Sequence, residues 1–216
     1  MQLISVNVGR ARSIPGAARS GVTGIYKEPV TGAVTVTAAG LAGDTVRNTR
    51  HHGGPDQAVY VYGAADYEWW SRALGADLAP GTFGENLTLS DLESATLNIG
   101  DRLRIGDVLL EVTAPRIPCG TLAARMEDSA FVRRFRDAAR PGVYCRVLAE
   151  GVVRAGLPVT LEPYSGDPVS VLEVFHSFYA EAPKESDLRR YLAAPLARRA
   201  RAIKERQLRE LIQSSS

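Results

Sequence analysis

Cysteine is scarce in this chain: only Cys119 and Cys145 occur among 216 residues. Two thiols cannot build a disulfide scaffold, and the expectation is a reducing cytoplasm with both unlinked. Long hydrophobic runs are missing too. No stretch approaches the roughly 18 apolar residues of a membrane helix, so no membrane attachment is expected. The opening, Met1-Gln2-Leu3-Ile4-Ser5-Val6-Asn7-Val8, lacks the basic segment of a secretory leader and alternates like a strand. Charge of one sign is absent as well. Lys and Arg number 26 against 24 Asp and Glu, a net +2, which is too little to draw a nucleic acid. No CxxC or HExxH spacing occurs, so a zinc site from Cys119, Cys145, His51 and His52 has no motif behind it. Nor is there a cysteine cluster that would hold an iron–sulfur centre.

What is present is ordinary globular composition, 45% apolar and 23% charged. Residues 1–163 read as mainly β. Ala33 to Thr37, Ala58 to Tyr62, Gly142 to Glu150 and Val159 to Leu161 are strand-like, and Arg102 to Val112 reads as a hairpin turning at Gly106-Asp107. Helical spacing marks Ala64 to Leu74, Leu122 to Met126 and Ala130 to Ala138. Many short strands with few helices predict a mixed β-barrel with peripheral helices. Tyr164-Ser165-Gly166-Asp167-Pro168 marks a linker. Residues 168–213 then predict a small three-helix bundle, its first helix broken by Pro183 and its third opened by Pro195. The basic run Arg198, Arg199, Arg201, Lys204, Arg206 and Arg209 is interspersed with Glu205 and Glu210, which makes it a solvated helix face.

Three segments carry residue types that folding alone does not require. In His51-His52-Gly53-Gly54-Pro55-Asp56, paired glycines expose backbone N–H groups that suit an anion, although a plain turn also explains them. Gly81-Thr82-Phe83-Gly84-Glu85-Asn86-Leu87 offers Glu and Asn to a ligand's polar edge, or closes a loop onto its own backbone. Ala114-Pro115-Arg116-Ile117-Pro118-Cys119-Gly120 follows a strand and precedes a helix. A thiol there gains thiolate character from the helix dipole and from Arg116, and thiolate is a soft metal ligand; a buried inert cysteine is the alternative. Cys145 lies mid-strand and reads as a core thiol.

Taken in order, these segments resemble the MOSC family, named for the C-terminal domain of molybdenum-cofactor sulfurase, in its YiiM-type branch. The resemblance extends through Thr23 to Val30, Gly40 to Asp44, Ile99-Gly100-Asp101, Gly142-Val143-Tyr144 and Gly151 to Gly156. It also covers the C-terminal helices, which look like the small domain that often follows in that branch. The resemblance implies a β-barrel fold and a molybdenum cofactor, with Cys119 as the molybdenum ligand and catalytic residue. Thr23, Lys27, His52, Gly53, Gly54, Gly84, Glu85, Asn86 and Arg116 are the implied cofactor-binding set. The implied activity is reduction of N-hydroxylated compounds, such as N-hydroxylated purines and amidoximes, with electrons from an external donor protein. A non-catalytic cofactor or sulfur carrier using Cys119 is the alternative, and a homodimer is an open expectation. One departure stands out: many relatives carry Tyr-Lys-Leu after the Pro-Cys pair, where this chain has Gly120-Thr121-Leu122.

Overall fold

A computed structural model describes residues 1–14, 21–46 and 53–214. In chain order its strands are β1 Leu3–Gly9, β2 Arg12–Ser13, β3 Val22–Thr23, β4 Lys27–Pro29, β5 Val34–Thr37, β6 Gly40–Leu41, β7 Val59–Gly63, β8 Leu87–Leu89, β9 Arg102–Ile105, β10 Val108–Pro115, β11 Val143–Ala149, β12 Gly151–Val153 and β13 Val159–Glu162. The helices are α1 Ala64–Leu74, α2 Gly120–Arg125, α3 Phe131–Ala138, α4 Val171–Ser177, α5 Glu185–Ala193 and α6 Arg198–Ser214.

Eight strands form one mixed sheet in the order β13-β9-β10-β11-β7-β8-β1-β4. Only the β7–β8 pair in it is parallel. The sheet closes on itself through the start of β1. Gln2 bridges Pro158, and Leu3 N donates to Leu157 O at 2.9 Å while Gly156 N donates to Leu3 O at 2.7 Å. The expected barrel is therefore present, and closure leaves its wall with few open edges.

The barrel interior is filled by aliphatic side chains that alternate along the strands. Leu3, Val61, Leu87, Leu103, Ile105, Leu110, Val112 and Val143 are fully shielded from water. A second, aromatic cluster lies outside one wall. Tyr60, Tyr62, Trp70, Phe83, Phe131 and Phe135 pack there between β7 and helices α1 and α3, with Cys119 and Tyr144 against its edge. Helix α1 is set by Gly63 before it and by Gly75 after it, the latter in the left-handed conformation (φ 66°) that ends helices.

The C-terminal helices share the barrel's aliphatic cluster through Val171, Val174, Tyr191 and Ala200. Ser170 and Glu173 form a reciprocal cap at the start of α4, with bonds of 3.1 and 2.9 Å. Buried Lys204 of α6 donates to the Ser177 carbonyl at 3.2 Å and lies over the Tyr191 ring, which ties all three helices together. Among the described residues, no helix is long and apolar enough to cross a membrane.

Candidate functional site

At one rim of the barrel the ends of β1, β4, β7 and β10 bring several of the sequence-predicted residues together. Lys27 opens β4 and turns its ammonium inward onto the Asp44 carboxylate, with both side chains almost fully buried. Asp44 also accepts from Gly9 N at 2.8 Å and from Asn86 Nδ2 at 2.9 Å. Burial lowers the pKa of Lys27, and Asp44, followed by Glu85, opposes that shift. Asn86 is committed to the frame, because its Oδ1 accepts from Tyr60 N at 3.1 Å.

Glu85 is entirely buried. Its Oε1 accepts from Tyr67 OH at 2.6 Å, Gly81 N at 2.6 Å and Thr88 Oγ1 at 2.9 Å. Its Oε2 has no hydrogen-bond partner among the described residues. Burial pushes the carboxyl's pKa up, against those three donors.

Arg116 leaves the end of β10 and enters the aromatic cluster. It is 4% exposed. One guanidinium nitrogen donates to the Phe83 carbonyl. The guanidinium carbon lies 5.2 Å from the Tyr60 ring centre and 5.9 Å from that of Phe135. Its Nε is buried and without a partner. A cation so enclosed costs several kcal/mol unless negative charge stands near it. Tyr60, Tyr144 and then Cys119 are the neighbouring groups that favour its charged form against burial. Pro118 and Cys119 turn the chain into α2, and the Cys119 carbonyl accepts from Leu122 N at 2.9 Å. The two thiols differ as expected. Cys119 is half-buried, while Cys145 is buried and its pKa is driven well up by desolvation. The two are not joined in a disulfide.

Gly53 and Gly54 take φ values of 70° and 84°, a left-handed pair that most side chains would resist. They lead into the turn Pro55–Gln57, closed by Gln57 N on Gly54 O at 2.9 Å. Gly84 lies against Ile25, where a Cβ would come within 2.8 Å of that side chain. Thr23 is nearby but turned aside: its hydroxyl accepts from Ile25 N at 3.1 Å. His52 lies outside the described residues. Among those described, no three His, Cys, Asp or Glu side chains converge on a point where they could hold a metal ion. A metal here would need ligands from a larger bound group beside Cys119.

Two neighbours were not singled out from the sequence. Asp44 ends the Gly40-Leu41-Ala42-Gly43-Asp44 stretch, and its Gly-Asp pair was the available signal. For Tyr144 the signal was its place in the Gly142-Val143-Tyr144 stretch of the resemblance. Its ring centre lies 5.0 Å from that of Tyr60. Burial raises the pKa of its phenol, against the opposing influence of Arg116 and, more weakly, Arg199.

Comparison with known proteins places this arrangement among relatives. Residues 48–160 match the model of the MOSC domain. The Bacillus subtilis protein YflK is 32% identical over 191 residues, covering 88% of this chain and 86% of YflK. A protein of Gibberella moniliformis called "Reductase" is 34% identical over 169 residues, which are 75% of this chain and 30% of that one. The crystal structure of YiiM from Geobacillus stearothermophilus superposes with a TM-score of 0.79 at 27% identity, over 96% of this chain and 98% of YiiM.

Proposed function

The chain belongs to the MOSC domain family, and from that premise we propose that it binds a molybdenum cofactor through Cys119 and reduces N-hydroxylated compounds. The observation that carries this reading is the pair formed by Arg116 and Cys119. A buried, under-partnered guanidinium and a half-exposed thiol are carried three residues apart on the one short loop between β10 and α2. That pairing suits a soft metal held by sulfur and carried within an anionic group.

The residues present fit such a group. Cys119 Sγ would hold the metal. Lys27, the Gly53–Gly54 turn and His52 would supply positive charge and N–H donors to its anionic part. Asn86 and Asp44 fix the Lys27 ammonium, while Thr23 and Gly84 shape the wall. When bound, the cofactor would supply two-electron oxygen abstraction, so that R–NHOH, two electrons from a donor protein and two protons give R–NH2 and water. The aromatic wall of Tyr60, Phe83 and Phe135 keeps water from Arg116. Unlinked thiols suit a reducing compartment such as the cytoplasm. The Gly120–Thr121 pair leaves open space where many relatives carry a ring and a cation, since a Cβ on Gly120 would meet nothing within 4 Å.

The test is direct. The chain is produced in a host that makes the cofactor, and molybdenum is measured. Reduced viologen dye then drives turnover of an amidoxime or N-hydroxyadenine. Turnover that is lost in Cys119→Ala supports the enzyme. Bound molybdenum without turnover would favour the carrier, and no molybdenum in any preparation would sink both.

A further inference from the structure

The bonds of Glu85 gather three elements onto one atom. Its Oε1 takes Tyr67 OH from α1, Gly81 N from the loop before β8, and Thr88 Oγ1 from β8 itself. The chain of bonds continues towards β1. Thr88 Oγ1 accepts from Asn7 Nδ2 at 3.2 Å, and Asn7 Oδ1 accepts from Ser5 Oγ at 2.7 Å. Ser5, Asn7, Glu85 and Thr88 are all buried. An unbroken buried network therefore runs from β1 to α1. Polar groups are costly to bury unless paired, and a paired buried network fixes one arrangement of what it touches.

What this network touches is the loop 81–84. Gly81 N is held by Glu85, and the next amide, Thr82 N, donates to Tyr67 OH at 3.1 Å. Gly84 N turns back onto Gly81 O at 2.9 Å. From the opposite side Lys27 closes on the loop: a Cβ on Gly81 would come within 2.3 Å of the Lys27 carbonyl oxygen. Between these supports stands Phe83. Its ring is fully buried and packs edge-on against Tyr67, with centres 5.2 Å apart. Its carbonyl accepts from the Arg116 guanidinium, which lies beside the Tyr60 and Phe135 rings. Hydrogen bonds thus join Glu85 and Tyr67 to the loop, and the loop to Arg116.

We propose that Glu85 and Tyr67 are positioning residues of this site. They set the loop so that the Phe83 carbonyl holds the Arg116 guanidinium in one orientation beyond the end of β10, and they act on a bound group through Arg116 rather than by touching it. The resemblance counts Glu85 in the cofactor-binding set; its bonds put it behind that set. The inference rests on the functional reading above for the role of Arg116, and on the hydrogen bonds alone for the coupling.

Four variants of the full chain test it. Tyr67→Phe loses the hydroxyl and keeps the ring. Glu85→Leu loses the acceptor, and Glu85→Gln keeps an acceptor oxygen without the carboxyl. Ser170→Ala, which loosens the cap of α4 instead, is the control for a general loss of stability. The first measurement needs no cofactor: proton exchange of the Arg116 guanidinium is followed by NMR, its signal assigned by its loss in Arg116→Lys. Exchange should quicken about tenfold or more in Tyr67→Phe and Glu85→Leu, and stay near wild type in Glu85→Gln and Ser170→Ala. If Glu85→Leu does not fold, Tyr67→Phe set against Glu85→Gln decides. The second measures pterin retained by protein from a cofactor-making host, which should be lower in Tyr67→Phe and Glu85→Leu than in Glu85→Gln. Wild type that retains no pterin would refute the cofactor reading, and the exchange ranking would still support or overturn the coupling. Exchange in Tyr67→Phe equal to that in wild type would overturn it. So would a Glu85→Gln that loses pterin while Arg116 exchanges slowly, because the carboxyl would then be touching the bound group itself.

Discussion

Asp44→Asn isolates the charge of the buried Lys27–Asp44 pair while keeping its shape. The two side chains are 7% and 6% exposed. Removing one partner of such a pair leaves the other charge stranded, at a cost of about 3–5 kcal/mol. Asparagine still accepts from Gly9 N, so the lower end, about 3 kcal/mol, is the expectation. For a chain of this length that is about 6–12 °C in Tm. The pH dependence supplies the sharper readout. Burial already lowers the pKa of Lys27, and Asp44 is the main opposing influence. Without Asp44 it falls further. The unfolded chain then binds a proton that the folded chain releases, so stability rises with pH between the folded and unfolded pKa values of the lysine. The deficit of Asp44→Asn should therefore shrink as pH rises towards the ordinary lysine range. Urea unfolding at several pH values measures it, and Lys27→Met with Asp44→Asn should recover at least about 1 kcal/mol over the sum of the single changes. A deficit below about 1 kcal/mol, or one independent of pH, would refute the claim that Lys27 is held as a buried cation.

Further outcomes are expected elsewhere. Phe83→Ala removes a fully buried ring that contacts Tyr62, Tyr67 and Trp70, and should cost about 3–5 kcal/mol in urea unfolding. Gly142→Ala places a Cβ 2.5 Å from the Tyr62 ring at a φ of 64°, so a loss above about 2 kcal/mol is expected; near-neutral behaviour would show that the tyrosines can move. Ser170→Ala breaks the reciprocal cap of α4 and should cost about 1 kcal/mol, with Ser170→Asp close to wild type. In native protein a thiol-specific aromatic disulfide should label Cys119 alone, and Cys145 only after denaturation. Fast labelling of both would contradict the burial of Cys145.

The elements most legible in the sequence are those with local punctuation. The spacing predicts a helix over Ala64 to Leu74, and α1 has those bounds because Gly63 and Gly75 fix its ends. The hairpin of β9 and β10 turns where Gly106-Asp107 requires. Strand β8 was not legible. Its three residues are buried throughout and close a glycine-bracketed loop, so no alternation marks them. Tertiary contacts also moved two helix ends. Pro183 does not end the first C-terminal helix; α4 stops at Ser177, whose hydroxyl donates to Val174 O at 2.6 Å. Pro195 does not open the third, because residues 195–197 bond to the barrel and α6 starts at Arg198. At the site, Arg116 and Cys119 stand out in sequence because one short proline-stiffened loop carries both. The Lys27–Asp44–Asn86 frame and the contact of Arg199 with Gln57 join residues far apart in the chain, and no local pattern encodes such pairings.

The cap that Asp56 places on Arg198 spans 142 residues. Contacts of that range form late in folding, since the intervening chain must first be ordered to offset the entropy of closing so long a loop. During synthesis the turn at Gly53–Gln57 leaves the ribosome long before the helix it caps, and the barrel can close around β10 and β11, with Thr113 and Arg146 on Asp56, while that turn still lacks its bond to Arg198. A truncated product lacking α6 would carry Cys119 and Arg116 but not the bond from Arg198 that braces the turn.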